Sequence, residues 1–179
     1  MRMKKFFLVL VAVLCVASVS AQKTKWAAGL RATYGVQAVG EYFYSSDKYA
    51  EARFGLYGGA CADLTALHNW NCCNWNWTPK VGKWYLDAGA GLNLGGAKQV
   101  VYAGVAGQVK FGIKFNKVPI RLSVDYTPVI GVVGTYLNAD QKKYNRELKA
   151  AGYDAYFKGS AAFYTPGFYN FALSATWHF

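Results

Sequence analysis

The amino-acid sequence predicts an all-β fold, an eight-stranded antiparallel up-and-down transmembrane β-barrel. Three observations carry the prediction. The chain opens with an export-type leader, most of the remaining sequence alternates apolar and polar residues with a period of two, and the last strand ends on an aromatic residue. Aromatic residues make up 17% and charged residues 16% of the chain, a balance that favours a barrel with aromatic girdles over an exported soluble domain.

Residues 1–21 are predicted to be a signal peptide. A basic start at residues 2–5 precedes an apolar run at residues 6–17, and small residues before Gln22 suit a signal peptidase. The apolar run is shorter than the roughly 20 residues that a membrane-spanning helix needs, so a retained N-terminal anchor is the weaker alternative. Residues 22–179 are then expected to form one β-barrel domain.

Four alternating segments predict the first four strands, at residues 26–34, 36–44, 49–58 and 60–70. Side chains two apart share one face of a strand, so this pattern gives each strand an apolar and a polar side. In the first strand, for example, Leu30 would face outward and Arg31 inward. Serine and aspartate at residues 45–47 favour a turn, and the Asn- and Trp-rich residues 71–82 are predicted to be a longer turn.

The same alternation predicts the last four strands, at residues 83–94, 100–115, 120–127 and 170–179. Pro119 ends a tight turn between the sixth and seventh. An even number of strands puts both termini on one side, the periplasmic side in barrels of the bacterial outer membrane. Residues 133–167 then form the longest connection, on the outer side.

That connection is predicted to contain a short helix at residues 139–151, with a structureless loop as the alternative. Asn138 is suited to begin the helix and Gly152 to follow its end. Helical spacing gives three residues a common face, Tyr144, Leu148 and Ala151.

The inward faces of the predicted strands collect charges of both signs. An eight-stranded barrel is just wide enough for side chains to fill, and a buried ion must be paired because an unpaired one costs several kcal/mol. We therefore expect a polar network that closes the lumen; a narrow transport pore is the alternative. The predicted network residues are Arg31, Glu41, Glu51, Arg53, Asp63, Asp87, Lys110, Arg121 and Asp125.

Neither the histidines nor the cysteines form a recognisable catalytic or metal site. His178 and Ser174 share a strand face but lie roughly 13 Å apart along it, whereas a nucleophile and its base need about 3 Å. Cys61 and the Cys72–Cys73 pair are placed at opposite ends of the fourth strand, beyond the reach of a disulfide. We expect no catalytic residue, no metal and no cofactor; a lipid A-modifying enzyme is the alternative.

The long outer loop carries more basic than acidic residues, at the position where lipopolysaccharide phosphates would lie. Its candidate contacts with lipopolysaccharide are Lys142, Lys143, Arg146, Lys149 and Lys158. The chain is basic overall, with a formal charge of +11, but an exported chain meets lipid phosphates before nucleic acid, so no nucleic-acid partner is expected. A monomer is predicted.

Several stretches resemble a family of small outer-membrane β-barrel proteins of Gram-negative bacteria, of OmpX-like or OmpA-barrel-like size. They are AGLRATYG, KWYLDAGAGLNL, AGQVKFGIKFNKVPIRLSVDYTP and the terminal ALSATWHF. The resemblance covers most of residues 26–131 and the last strand, implies the barrel fold and location in the outer membrane, and carries over no catalytic residue. We expect a structural or surface-interaction role. The last strand, which ends at Phe179, resembles the signal that outer-membrane barrels present to the barrel-insertion machinery.

Overall fold

The computed structural model describes residues 25–57, 61–154, 158–164 and 170–179, so the predicted signal peptide lies outside the described residues. The described part folds into ten strand segments and one helix. These are β1 (Trp26–Ala32), β2 (Val36–Phe43), β3 (Lys48–Tyr57), β4 (Cys61–Thr78), β5 (Gly82–Ala97), β6 (Val100–Phe115), β7 (Ile120–Tyr126), β8 (Val129–Thr135), α1 (Ala139–Ala150), β9 (Ala161–Tyr164) and β10 (Phe171–His178).

The strand segments form a closed antiparallel barrel with eight strand positions around its wall, and we call each position a stave. Strands β1 to β7 pair in sequence order, and β10 pairs with both β7 and β1, which closes the sheet. One half of β6 pairs with β7 and the other half with β8, while β9 pairs with β8. Segments β7 and β8 therefore make one stave and β9 and β10 another, and the predicted eight-stranded barrel is confirmed.

The seventh stave is interrupted at Pro128. Proline has no backbone N–H to donate to the ladder, so a central strand breaks or bulges around it. The carbonyl of Pro128 still accepts from Gly107 N at 2.8 Å, and Thr127 N donates to the carbonyl of Asn170 at 3.2 Å. These two bonds carry the sheet across the interruption, so the barrel wall remains continuous there.

The prediction of a long turn at residues 71–82 is wrong. Strand β4 continues to Thr78, and only Pro79, Lys80 and Val81 separate it from β5. The ladder shifts between Asn71 and Cys73, so that Cys72 is the extra residue of a β-bulge. A bulge moves every later side chain to the opposite parity, and that change of period imitates the end of a strand in the sequence.

Helix α1 is confirmed, but the face that it turns inward is not the one that carries Tyr144 and Ala151. Asn138 begins it: the Asn138 side chain accepts from Gln141 N while the Gln141 side chain accepts from Asn138 N. The face of α1 that is turned inward holds Gln141, Asn145 and Leu148, and Asn145 is buried. Tyr144 is 49% exposed. The Gln99 side chain, in the β5–β6 turn, donates to the Gln141 side chain at 3.1 Å and ties the helix to the barrel.

The polarity of the barrel is inverted relative to a water-soluble protein. Among the described residues, 19 polar or charged residues are buried against eight apolar ones. The large side chains of the outer surface are apolar; Leu30, Leu92 and Val105, for example, are 52%, 61% and 61% exposed. A soluble protein rarely exposes a contiguous apolar surface of this extent.

Aromatic residues concentrate on the outer surface at the barrel end where the described residues begin with Lys25 and finish with Phe179. We call it the end with the termini. Ring contacts join β1, β2 and β4 through Trp26, Tyr42, Tyr44, His68 and Trp70, with centroid distances of 4.5 to 6.5 Å. The bulge at Cys72 brings two further tryptophans of β4 to the same surface. They pack with β5 and β6 in a second cluster, formed by Trp75, Trp77, Trp84 and Phe111.

Candidate functional site: the charged lumen

All nine predicted network residues are buried inside the barrel. Eight of them form one continuous chain of ion pairs that alternates in sign and crosses the lumen. In order, the chain is Arg31, Asp125, Arg53, Glu51, Lys110, Glu41, Arg121 and Asp87. Each buried cation therefore has a carboxylate partner, as the desolvation cost of an unpaired ion requires.

Asp125 of β7 holds the end of this chain that is farther from the termini. Its carboxylate accepts from Arg31 Nε and Nη2, with an Nη2–Oδ1 distance of 2.7 Å. It also accepts from Ser174 Oγ at 2.9 Å and from Thr127 Oγ1 at 3.0 Å, and Arg53 Nη1 lies 3.8 Å away. Asp125 thus links β3 to β1, β7 and β10, the strands whose pairing closes the barrel.

Glu51 and Lys110 form the centre of the chain. The Glu51 carboxylate pairs with both Arg53 and Lys110 and accepts from Asn69 Nδ2 at 3.2 Å. Lys110 Nζ also donates to Glu41 Oε1 at 3.0 Å. Glu51 and Lys110 lie on opposite sides of the barrel, on β3 and β6, so this pair bridges the lumen.

Arg121 ends the chain near the termini. Its guanidinium lies 2.7 Å from Asp87 Oδ2 and 3.5 Å from Glu41 Oε2. The same group stacks over Tyr85, with 4.1 Å between Arg121 Cζ and the ring centroid, and lies 5.3 Å from the Tyr49 ring. Two carboxylates and two aromatic faces therefore replace the hydration of this cation.

Asp63 belongs to the lumen but not to the chain of ion pairs. Its carboxylate accepts from Gln37 Nε2 at 3.2 Å and from Asn93 Nδ2 at 3.2 Å. Gln37 in turn accepts from Arg31 Nη1 at 2.7 Å. Neutral amides thus connect the ninth predicted residue to the network.

Sequence reasoning missed the uncharged members of the network. Asn69 and Tyr49 were not singled out, yet Asn69 donates to Glu51 and Tyr49 Oη donates to Asp87 Oδ2 at 2.8 Å. Only the alternation of inward and outward positions could have indicated them, because each shares an inward face with a charged residue on its own strand.

Two separate cavities lie on either side of the network. The cavity at the end with the termini has a volume of about 660 Å³, and Arg121 and Asp87 lie in its lining. The cavity on the other side holds about 30 Å³, roughly one water molecule. Glu41, Glu51 and Lys110 lie between the two cavities, line neither of them, and are at most 3% exposed.

The cysteines and histidines of the described residues lie apart from the ion-pair chain. Cys61, Cys72 and Cys73 are free thiols, and no group of three potential metal ligands occurs in the part of the chain that the structure describes. His68 lies on the outer surface, where it hydrogen-bonds with Tyr44 at 2.6 Å. Ser174 is engaged with Asp125 inside the barrel.

The basic residues of the outer loop are exposed at the end opposite the termini. Lys142, Arg146 and Lys149 are spaced four and three residues apart and form one stripe along α1. Lys143 lies beside the stripe, 4.0 Å from Glu147, and Lys158 is exposed beyond the helix.

No helix among the described residues is long and apolar enough to cross a membrane. The resemblance to OmpX-like proteins remains a prediction, because comparison of the chain with family models, curated proteins and solved structures gave no match.

Proposed function

We propose that this chain is an integral outer-membrane β-barrel protein with a structural or surface-interaction role, whose ion-paired lumen does not conduct. The inverted polarity of the barrel carries the proposal: apolar side chains cover the outside and ion pairs fill the inside. A closed barrel satisfies every backbone hydrogen bond within its own wall, which is the requirement for crossing lipid with strands.

The tryptophans support a membrane setting. The sequence contains six, and all of them lie on the outer surface toward the barrel end that holds the termini: Trp26, Trp70, Trp75, Trp77, Trp84 and Trp177. Tryptophan prefers the interface between lipid and water, where the ring is partly buried and the indole N–H stays near polar groups. This end of the barrel then lies at the periplasmic interface.

The network supports a closed lumen. Ions or small solutes would have to pass Glu51 and Lys110, which are paired directly across the barrel and at most 3% exposed. Opening a path would break buried ion pairs, which costs about 3–5 kcal/mol for each partner removed.

Planar-bilayer recording tests the closed lumen. Refolded protein is expected to give no unitary current steps at an applied potential of about 100 mV. A general porin refolded in the same bilayer controls for incorporation. Discrete, reproducible steps from this chain would contradict the closed lumen and favour the narrow transport pore.

We also propose a non-enzymatic role. Ser174 is the hydroxyl that shares a strand face with His178, and it donates to Asp125 rather than to a histidine. Lipid A isolated from cells that express the protein is therefore expected to keep its mass. A mass shift that depends on expression would identify a lipid-modifying enzyme.

The partners follow from the proposed orientation. Strand β10, which Phe179 directly follows, would be the segment that the barrel-insertion machinery recognises. Outer-membrane lipid would surround a monomeric barrel without nucleic acid. The basic stripe of α1 would lie at the outer leaflet, where it meets lipopolysaccharide phosphates.

Glutamine substitution of the stripe tests this lipid contact. The double variant Lys142→Gln/Lys149→Gln is expected to retain about thirtyfold less lipopolysaccharide on the purified barrel, since each basic residue near an anionic surface contributes about 1 kcal/mol. Lys80→Gln/Lys117→Gln, with the same change of charge in turns at the opposite end, controls for net charge. Equal retention by both double variants would contradict the contact.

A further inference from the structure

The cavity at the end with the termini differs in charge from the rest of the lumen. It has a volume of about 660 Å³, within the range of pockets that hold small organic ligands. Five basic side chains line it, against two carboxylates: Lys25, Lys48, Lys83, Lys114 and Arg121 against Asp47 and Asp87. Deeper in the lumen, by contrast, every buried cation has its own carboxylate partner.

Three of these cations lie side by side on the inner wall. Lys83 is directly opposite Lys114 in the β5–β6 ladder, and Lys114 is directly opposite Arg121 in the β6–β7 ladder. Like charges directly opposite each other destabilise a sheet. Arg121 is compensated by Glu41 and Asp87, but Lys83 and Lys114 form no ion pair with any carboxylate of the described residues.

The carboxylates of this cavity are already engaged. Asp87 accepts from Arg121, from Tyr49 Oη at 2.8 Å and from Asn71 Nδ2 at 2.7 Å. Asp47 lies in the β2–β3 turn, where a hydrogen bond of 2.6 Å from Ser45 Oγ holds the pKa of the carboxyl below its usual value. Neither is placed to neutralise Lys83 and Lys114.

The three cations of the row differ in whether a ligand can reach them. Arg121 is buried, and its guanidinium lies over the rings of Phe43, Tyr49 and Tyr85. Lys83 and Lys114, by contrast, are exposed and line the cavity. These two lysine side chains are therefore the ones that an anionic ligand in the cavity can reach.

We propose that this cavity binds a phosphate-bearing small molecule or headgroup, with its oxyanion placed between Lys83 and Lys114. A multivalent oxyanion accepts charge-assisted hydrogen bonds from several ammonium groups at once. It would remove the repulsion along the row of cations, which the protein alone leaves uncompensated. The cavity is larger than an oxyanion, so it also has room for the remainder of the ligand.

Pyrophosphate is the probe for the oxyanion in solution. Refolded protein in a neutral detergent, titrated with pyrophosphate by calorimetry, is expected to show saturable binding that weakens as sodium chloride is added. The variant Lys83→Gln/Lys114→Gln is expected to bind at least about tenfold more weakly, the equivalent of 1.4 kcal/mol. Lys80→Gln/Lys117→Gln, in turns at the same end of the barrel but outside the lining of the cavity, is the matched control and keeps the wild-type affinity.

A second arm distinguishes a free ligand from a lipid headgroup. Nanodiscs that contain phosphatidylglycerol compete with pyrophosphate if the headgroup is the natural occupant, and phosphatidylcholine nanodiscs leave the affinity unchanged in either case.

Thermal unfolding without ligand supplies an independent readout: the Lys83→Gln/Lys114→Gln variant is expected to unfold at the wild-type temperature or higher in low salt, because it relieves repulsion. Absence of saturable binding, or equal affinity in both double variants, would overturn the proposal. Neither arm depends on whether the lumen conducts.

Discussion

Replacing Asp125 with alanine is expected to destabilise the barrel by about 3–5 kcal/mol, the cost of removing one partner from a buried ion pair. The Asp125 carboxylate is fully buried and accepts from Arg31, Ser174 and Thr127. Without it, Arg31 keeps only uncharged acceptors, the Gln37 side chain, the Thr127 hydroxyl and a backbone carbonyl. Urea unfolding of the refolded barrel, followed by far-ultraviolet circular dichroism, measures the loss.

Two further variants sharpen this measurement. Asp140→Ala removes an exposed carboxylate from the first turn of α1 and is expected to change the free energy of unfolding by no more than about 0.5 kcal/mol. Arg31→Met/Asp125→Ala is expected to lose less than the sum of the two single losses, because no buried charge is then left without its partner. A loss below about 1 kcal/mol for Asp125→Ala would show that water reaches Arg31, and would contradict a closed lumen.

Placing arginine at Leu92 is expected to cost about 2–4 kcal/mol when the protein is folded in a bilayer. Leu92 is 61% exposed at mid-height on β5, opposite Ala66 of β4 and Val105 of β6. At a water-exposed site the same substitution would change the free energy of unfolding by no more than about 0.5 kcal/mol. The substitution therefore separates a lipid-facing surface from an aqueous one.

Val81→Arg is the matched control for Leu92→Arg. Val81 is 50% exposed, but it lies in the β4–β5 turn at the end of the barrel, where an arginine in a membrane barrel costs about 0–1 kcal/mol. Both variants are unfolded with urea from vesicles of the same lipid. Equal and small losses at the two positions would contradict a bilayer around the middle of the barrel.

The architecture was predictable because period two survives along most of the chain. The prediction from period two failed at Cys72. There the bulge moves the outward side chains of β4 from even positions, such as Trp70, to odd ones, such as Trp75. Read alone, the change of parity looks like the end of a strand. A pairing partner resolves it, since Trp84 of β5 lies opposite Trp75 and carries the same alternation onward.

The composition of the lumen was predictable, but its pairing was not. Parity showed that Arg31 and Asp125 face inward, yet they are 94 residues apart and meet only because β10 joins β1 to β7. The order of contacts depends on the stagger of neighbouring strands, which a single sequence does not encode locally. Helix α1 shows the converse: its cap is local and was found, whereas its inward face depends on Gln99 in a distant turn.

Lipid contact with the outer surface is the central claim, and tryptophan fluorescence tests it most directly. All six tryptophans lie on that surface toward the end with the termini. Residues 22–179, refolded in vesicles of lipids with brominated acyl chains, are therefore expected to lose most of their tryptophan emission relative to unbrominated vesicles. Bromines close to the headgroups should quench more than bromines at the chain ends, as an interfacial girdle requires. Emission that is the same in brominated and unbrominated vesicles, from folded protein, would contradict the account.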